Sequence, residues 1–287
     1  MEACGGATHV SIAEAEARGA VSVPWPAEEA LGALLRAEAE AAAVGAGIRS
    51  ESFFRVLAQT AKDALDVARE TDWTDPAGPR VLGAELSGEA VVRVAEGRVQ
   101  RIAFRADRVD AGAGSFRVTD YKTGKVPSDA AGPDTRRKHL LEKVEQGTLL
   151  QAVAYLAAAS ERAERDVAGR FLFLRSDVES DLREHLVTRE DGDLVERFEG
   201  VVRTVVAARD AGAYPPRLVE PGRDGVPRAC EDCELAPACS QGESSARRRL
   251  REWLDDAARD ATSWAADERA AAELLLLGRT PREEGAA

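Results

Sequence analysis

Across residues 81–122 the apolar pattern breaks into short, closely spaced runs that cannot be helices. Val81-Leu82-Gly83-Ala84-Glu85-Leu86, residues 90–94, residues 99–106 and residues 116–122 each read as a strand. Gly97 marks one turn between them and residues 111–114 mark another. Connections this short join antiparallel neighbours, so a meander is expected. Helical spacing governs the flanks. It covers residues 27–44 and 50–70, where Phe53, Phe54, Val56, Leu57, Ala61, Ala64, Leu65 and Val67 recur on one face. It returns over 140–162, 195–211 and 243–277. Residues 171–174 and 185–187 add two short strands, and the segment from Asp72 to Arg80, with two prolines and a glycine, reads as a loop. The order helix, strands, helix, strands, helix predicts an α/β fold with a central mixed β-sheet flanked by helices. Three regions are expected: a helical region over 1–80, a core over 81–212, and a cysteine cluster with a C-terminal helix over 213–287.

Charge narrows the function classes. The 287-residue chain carries a net charge of -12, with 31% charged and 44% hydrophobic residues. The apolar fraction supports a sizeable core. The acidic balance does not suit unaided binding to nucleic acid, which rewards basic surface through counterion release. A chain of this kind that acts on DNA needs local basic patches or a partner that delivers the DNA. The best basic runs are Arg136-Arg137-Lys138 and Arg247-Arg248-Arg249. There is no run of about 18 apolar residues to cross a membrane. The N-terminus lacks the basic start and apolar core of a signal peptide, so a cytoplasmic location with reduced cysteines is expected. The sequence Thr123-Gly124-Lys125-Val126 lacks the hydroxyl residue that a phosphate-binding loop requires after its lysine, so no ATPase is predicted.

The richest chemistry lies on the last strand of the meander. Asp120 and Lys122 are two residues apart, so a strand presents both on one face while Tyr121 faces away. A carboxylate beside an ammonium suits phosphodiester hydrolysis. The carboxylate binds Mg²⁺, a hard cation that prefers oxygen ligands. The lysine orients or deprotonates the attacking water, or offsets charge in the transition state. A hairpin at 111–114 brings Asp107 close to Asp120 as a second metal ligand, with Asp110 a weaker candidate on the opposite face or in the turn. Glu85 is a candidate third carboxylate. Gln151 and Tyr155 stand i and i+4 on a predicted helix and share a face, suited to a phosphate or a metal-bound water. Trp73, Trp253 and Trp264 could serve as stacking platforms for single-stranded bases, but the favoured expectation is that they are core or partner-contact residues. Cys230-Glu231-Asp232-Cys233 followed by Cys239 spaces three thiols as C-x2-C-x5-C, and Cys4 is the remaining cysteine. Zinc and an iron–sulfur cluster both accept four such ligands.

In order and spacing, Arg105-Ala106-Asp107-Arg108-Val109-Asp110, Asp120-Tyr121-Lys122-Thr123-Gly124-Lys125 and Gln151-Ala152-Val153-Ala154-Tyr155 resemble the successive motifs of the RecB-like nucleases, part of the PD-(D/E)XK superfamily. The resemblance implies a restriction-endonuclease-like core in which Asp107, Asp120 and Lys122 are the catalytic residues, supported by Gln151 and Tyr155, with Mg²⁺ or Mn²⁺ as cofactor. It also implies a histidine from an upstream Gly-x-x-x-His helix, a form taken here by Gly5-Gly6-Ala7-Thr8-His9, which makes His9 a candidate metal ligand. The AddB-type domains, and related CRISPR-associated nucleases, carry one cysteine before the core and a C-x2-C-x5-C group after it. By that resemblance Cys4, Cys230, Cys233 and Cys239 hold a structural [4Fe-4S] cluster, although Cys4 lacks the Cys-Pro-aromatic setting of the family. The expectation is a Mg²⁺-dependent DNA exonuclease acting in DNA end processing, recombination and double-strand break repair. A helicase or ATPase would be supplied in trans or by a further part of a larger protein. The alternatives are a CRISPR-associated spacer-processing nuclease, which usually shows Glu-x-Lys where this chain has Asp-Tyr-Lys, a non-catalytic subunit that binds DNA or a helicase, and a zinc-stapled protein without a nucleic-acid role.

Overall fold

Strands β1 (Val21–Ser22), β2 (Arg80–Ala95), β3 (Arg98–Ala111), β4 (Ser115–Lys122), β5 (Asp166–Phe173) and β6 (Glu184–Thr188) form one six-stranded sheet in that order. The structure is a computed structural model and describes residues 10–112, 114–159, 166–215, 233–235, 239, 244–260 and 262–277. Strands β1/β2, β3/β4 and β5/β6 pair antiparallel, and β4/β5 pair parallel. The mixed sheet flanked by helices is the α/β, restriction-endonuclease-like architecture expected from the sequence. Helices α4 (Pro133–Glu145) and α5 (Gln151–Ala159) lie in the crossover that a parallel pair requires. No described helix is long and apolar enough to cross a membrane.

Local chemistry sets the helix ends. Helix α1 (Ile12–Arg18) starts at a capping box: Ser11 Oγ accepts from the Glu14 N–H, and the Glu14 carboxylate accepts from the Ser11 N–H at 2.7 Å. Helices α2 (Glu28–Gly45) and α3 (Glu51–Asp72) pack as a hairpin. Leu31, Leu35, Ala39 and Ala43 of α2 are buried at a constant spacing of four, a single apolar stripe. The helix expected over 140–162 is two helices. Gly147, at φ 72°, adopts the left-handed conformation that ends α4; its N–H bonds Val144 O while the Thr148 N–H bonds Lys143 O, the paired bonds of a Schellman cap. The helix expected over 243–277 is also two, α8 (Ser244–Arg259) and α9 (Ala266–Leu276), following α6 (Ser180–Arg183) and α7 (Gly192–Asp210) in the chain. The break follows from Asp260, whose carboxylate accepts from the N–H and hydroxyl of Thr262 and closes a turn in place of the next helical bond. The two runs expected at 81–86 and 90–94 are one continuous strand, β2, while α1, β1 and α6 are too short for a periodic signal.

The chain groups into two compact units. The first comprises Met1–Val92, Arg101–Leu140 and Leu149–Val195, and the second Arg93–Gln100, Leu141–Thr148 and Glu196–Ala287. In the first, β5 is the most buried strand, with Val167, Arg170, Phe171, Leu172 and Phe173 all buried. Helix α5 lies against it so closely that a Cβ on Gly169 would sit 1.8 Å from Ala152 O. In the second, Leu254, Ala257 and Ala272 form a small core with Trp253 and Trp264 packed against it, ring centroids 5.0 Å apart.

Candidate active site

The β3–β4 ladder ends at the pair Arg108–Thr119. Beyond it the two strands part, and the Asp107 carboxylate bridges the gap by accepting the Tyr121 N–H at 2.6 Å. Asp107 and Asp120 therefore face one another where the strands diverge, as the hairpin argument required. On the other side β4 stays paired to β5 as far as Lys122–Phe173. Alternation places Phe116, Val118, Asp120 and Lys122 on the face covered by α5, and Arg117, Thr119 and Tyr121 on the reverse.

Asp120 is the centre of this arrangement. Its side chain is 10% exposed and lies 2.8 Å from Lys122 Nζ. That contact is an ion pair, and among the described residues no aligned hydrogen-bond donor reaches the buried Oδ2. Its other oxygen accepts from the Tyr155 hydroxyl at 3.4 Å, and Tyr155 also reaches Arg105 O at 3.2 Å. Burial raises the Asp120 pKa above the ordinary carboxylate value; Lys122 and Tyr155 lower it, and the charge of Asp107 raises it further. Tyr155 is 1% exposed, with Phe104 against its ring at 4.8 Å. Burial, followed by the charges of Asp120, Asp107 and Glu85, raises its pKa, so it remains a protonated donor. Gln151 is exposed at the first residue of α5, one turn before Tyr155.

Glu85 sits near these groups at φ 56°, a left-handed conformation that is uncommon for a non-glycine residue and that clusters at functional sites. Its carboxylate pairs with Arg105 at 2.6 Å, both side chains more than half exposed. Among the described residues no three His, Cys, Asp or Glu side chains converge on one point, so Glu85 does not close a three-carboxylate cage with Asp107 and Asp120. A hexacoordinate Mg²⁺ does not need one, since it retains several waters and is commonly held by one or two carboxylates.

The sequence matches the family model of the PD-(D/E)XK nuclease superfamily over residues 3–240. The chain belongs to the PD-(D/E)XK nuclease superfamily. No curated protein matches it. Members of this superfamily are typically metal-dependent nucleases. In this one, two carboxylates, Asp107 and Asp120, lie at a strand divergence with the Lys122 ammonium beside Asp120.

Other expected site residues have different settings in this PD-(D/E)XK domain. Arg136 of the basic run is tied to Asp181 at 3.1 Å and to the carbonyls of Ala130 and Ala131. Arg137 pairs with Asp191 and Asp193. The two arginines are thus largely neutralised within the fold, and Lys138 is the exposed member of the trio. Asp110, the weaker candidate, faces the reverse of the sheet from Asp120 and takes a two-pronged bond from Arg108, both distances 2.8 Å. Trp73 is a structural residue, its Nε1 donating to Val23 O and its ring beneath the Arg108 guanidinium at 5.0 Å. Cys233 is exposed and Cys239 half-buried, and neither forms a disulfide among the described residues. Cys4, His9 and Cys230 lie outside the described residues.

Sequence reasoning missed the charged cluster on the back of the sheet. Asp72, assigned to the start of a loop, is the last residue of α3; its side chain is 1% exposed and meets Arg170, Arg108 and Arg117. Burial alone would raise its pKa, but the hydrogen bonds and charges of these arginines outweigh that and hold it below the ordinary value. The available signal was Arg170 inside an otherwise apolar run, since a charge in a central strand needs a buried counter-charge.

Proposed function

We propose that the chain is a Mg²⁺- or Mn²⁺-dependent deoxyribonuclease of the RecB/AddB type that hydrolyses phosphodiester bonds as an exonuclease in DNA end processing and double-strand break repair. One observation carries the metal assignment: Asp120 presents a buried carboxylate oxygen met by the Lys122 ammonium but, among the described residues, by no aligned hydrogen-bond donor, beside a second carboxylate, Asp107. Two carboxylates held together at a buried strand divergence, with one ammonium beside Asp120, are well suited to a divalent cation. Asp107 and Asp120 would hold the ion, with Glu85 and His9 as further candidates. Bound there, the ion supplies Lewis acidity towards the scissile phosphate and lowers the pKa of the attacking water. Lys122 orients that water and offsets the negative charge that builds as its oxygen joins phosphorus and the ester oxygen departs. Tyr155 fixes the rotamer of Asp120 through its hydroxyl, and Gln151, at the mouth of the same helix face, contacts a phosphate oxygen.

The net charge of -12 and the internal pairing of Arg136 and Arg137 support delivery of DNA by a partner, in this reading a helicase or ATPase. The soft donor set of Cys4, Cys230, Cys233 and Cys239 would suit a [4Fe-4S] cluster. Incubation of anaerobically purified protein with end-labelled single- and double-stranded DNA and Mg²⁺, beside Asp120→Ala and Lys122→Ala, tests the assignment. Cleavage by the wild type and its loss in both variants is expected. An inactive wild type, or two active variants, would reject it. Broad absorbance near about 400 nm supports the cluster, and a colourless protein holding one zinc excludes it.

A further inference from the structure

Behind the Asp120–Lys122 edge lies a closed set of charges with no place in the hydrolytic chemistry. Arg170, fully buried, grips Asp72 with two prongs, Nη1 to Oδ1 and Nη2 to Oδ2, both at 2.7 Å. The same guanidinium donates from Nε to Thr119 Oγ1 at 3.0 Å. Arg108, 6% exposed, meets Asp72 at 2.8 Å, and its Nη1 donates to the Tyr121 hydroxyl at 2.9 Å. Thr119 and Tyr121 are the two neighbours of Asp120. Because adjacent strand residues point to opposite faces, both are held from the back by arginines that converge on one carboxylate, while Asp120 projects from the front.

The position of this grip along the strand matters. The β3–β4 ladder stops at Thr119, so residues 120–122 are without regular β3 rungs on that side. The Asp107 bond to the Tyr121 N–H is one substitute. The two arginine anchors are the others. Buried ion clusters are poor stabilisers relative to apolar packing, but their planar, forked hydrogen bonds specify geometry. We propose that Asp72, acting through Arg170 and Arg108, is a positioning residue that fixes the register and tilt of β4, and with it the separation of Asp107, Asp120 and Lys122. The inference rests on the reading of Asp120 as a metal ligand.

The double variant Thr119→Val/Tyr121→Phe removes the two hydroxyl anchors and leaves every charge of the cluster in place. Three readouts apply to it: hydrogen exchange of the β4 amides measured against β5 and β6, Mn²⁺ affinity by electron paramagnetic resonance, and DNA cleavage at saturating Mg²⁺. Loss of one or two net hydrogen bonds speeds exchange at β4 by about tenfold. Misplacement of the carboxylates weakens Mn²⁺ binding, and kcat falls by on the order of tenfold or more while KM for DNA stays near the wild-type value. Unchanged β4 exchange overturns the proposal. So does faster exchange with unaltered Mn²⁺ affinity and kcat, because the cluster is then a fold staple only. An inactive wild type that binds Mn²⁺ sinks the nuclease reading alone, and the Mn²⁺ affinity of the variant then decides the positioning role.

Discussion

Helix α5 is seated on β5 through a glycine, and that seat sets the height of Tyr155 above Asp120. A Cβ built on Gly169 would lie 1.8 Å from Ala152 O and 2.7 Å from its carbonyl carbon. Ordinary contact begins near 3.4 Å, so Gly169→Ala requires a withdrawal of about 3.4 − 1.8 = 1.6 Å. The clash is with backbone, so no side chain can rotate out of the way. Strand β5 is paired on both edges and buried on both faces, which leaves the helix as the element that moves. Tyr155 lies three residues beyond Ala152 on the same rigid helix, and its hydrogen bond to Asp120 is already 3.4 Å long. Withdrawal breaks it. Overpacking of this kind costs roughly 1–3 kcal/mol, which for a chain of this size lowers the melting temperature by roughly 2–12 °C. A displacement above 1 Å near reacting groups costs on the order of 10²-fold in rate. Thermal denaturation by circular dichroism and cleavage of a fluorophore-labelled duplex measure the two effects. The control is Gly45→Ala, at the end of α2, where the added methyl meets nothing within 4 Å and the helix gains up to about 1 kcal/mol. A Gly169→Ala protein that melts within 1 °C of the wild type, roughly the error of such a scan, and cleaves within about threefold of it would refute the seating argument.

Asp72→Asn lowers stability at neutral pH by roughly 3–5 kcal/mol, because it leaves buried arginines under-compensated; urea melts measure the loss. Since the folded state holds the Asp72 carboxyl below its ordinary value, its contribution is complete above about pH 4 and fades as pH falls through the depressed value. Melts from acid to neutral pH should therefore converge for wild type and variant at the acid end, and parallel curves would contradict this. Tyr155→Phe keeps the ring against Phe104 and deletes one hydrogen bond to Asp120, so kcat drops about tenfold with a melting shift equivalent to about 1 kcal/mol. An unchanged kcat would remove Tyr155 from the site. Arg137→Ala tests the basic run: with its charge spent on Asp191 and Asp193, DNA affinity should change by less than about twofold in a salt titration, and a steep loss would restore Arg137 as a phosphate contact.

What was readable in the sequence follows from which interactions are local. Asp120 and Lys122 share a face because strand alternation requires it, and Asp107 reaches them because the intervening turn is short. Both deductions need no knowledge of distant packing. The ends of α4 and α8 were missed for a related reason: Gly147 and Asp260 are cap and turn residues inside otherwise helical stretches, and their effect is decided by one backbone bond each. Asp72 was opaque in a different way. Ninety-eight residues separate it from Arg170, and nothing in its neighbourhood distinguishes a helix-terminal aspartate that is exposed from one that is buried. The pairing of Arg136 and Arg137 was hidden likewise, since their acidic partners Asp181, Asp191 and Asp193 lie forty or more residues away.

The two faces of β4 treat the same chemical group in opposite ways, and that contrast bears on what the sheet is built to do. Asp72 and Asp120 are both buried aspartates. On the back, Asp72 meets three guanidiniums and its pKa falls; Arg108, Arg117 and Arg170 are matched by Asp72, Asp110 and Glu184, so the cluster closes on itself. On the front, burial and the nearby charge of Asp107 outweigh the Lys122 ammonium and the long bond from Tyr155, so the pKa of Asp120 rises. A protein selected only for stability would have relieved the front as it relieved the back. The contrast fits the proposed division of labour, in which the matched cluster at the back holds the strand rigid and the two front carboxylates, with a single ammonium beside Asp120, are placed to take a cation.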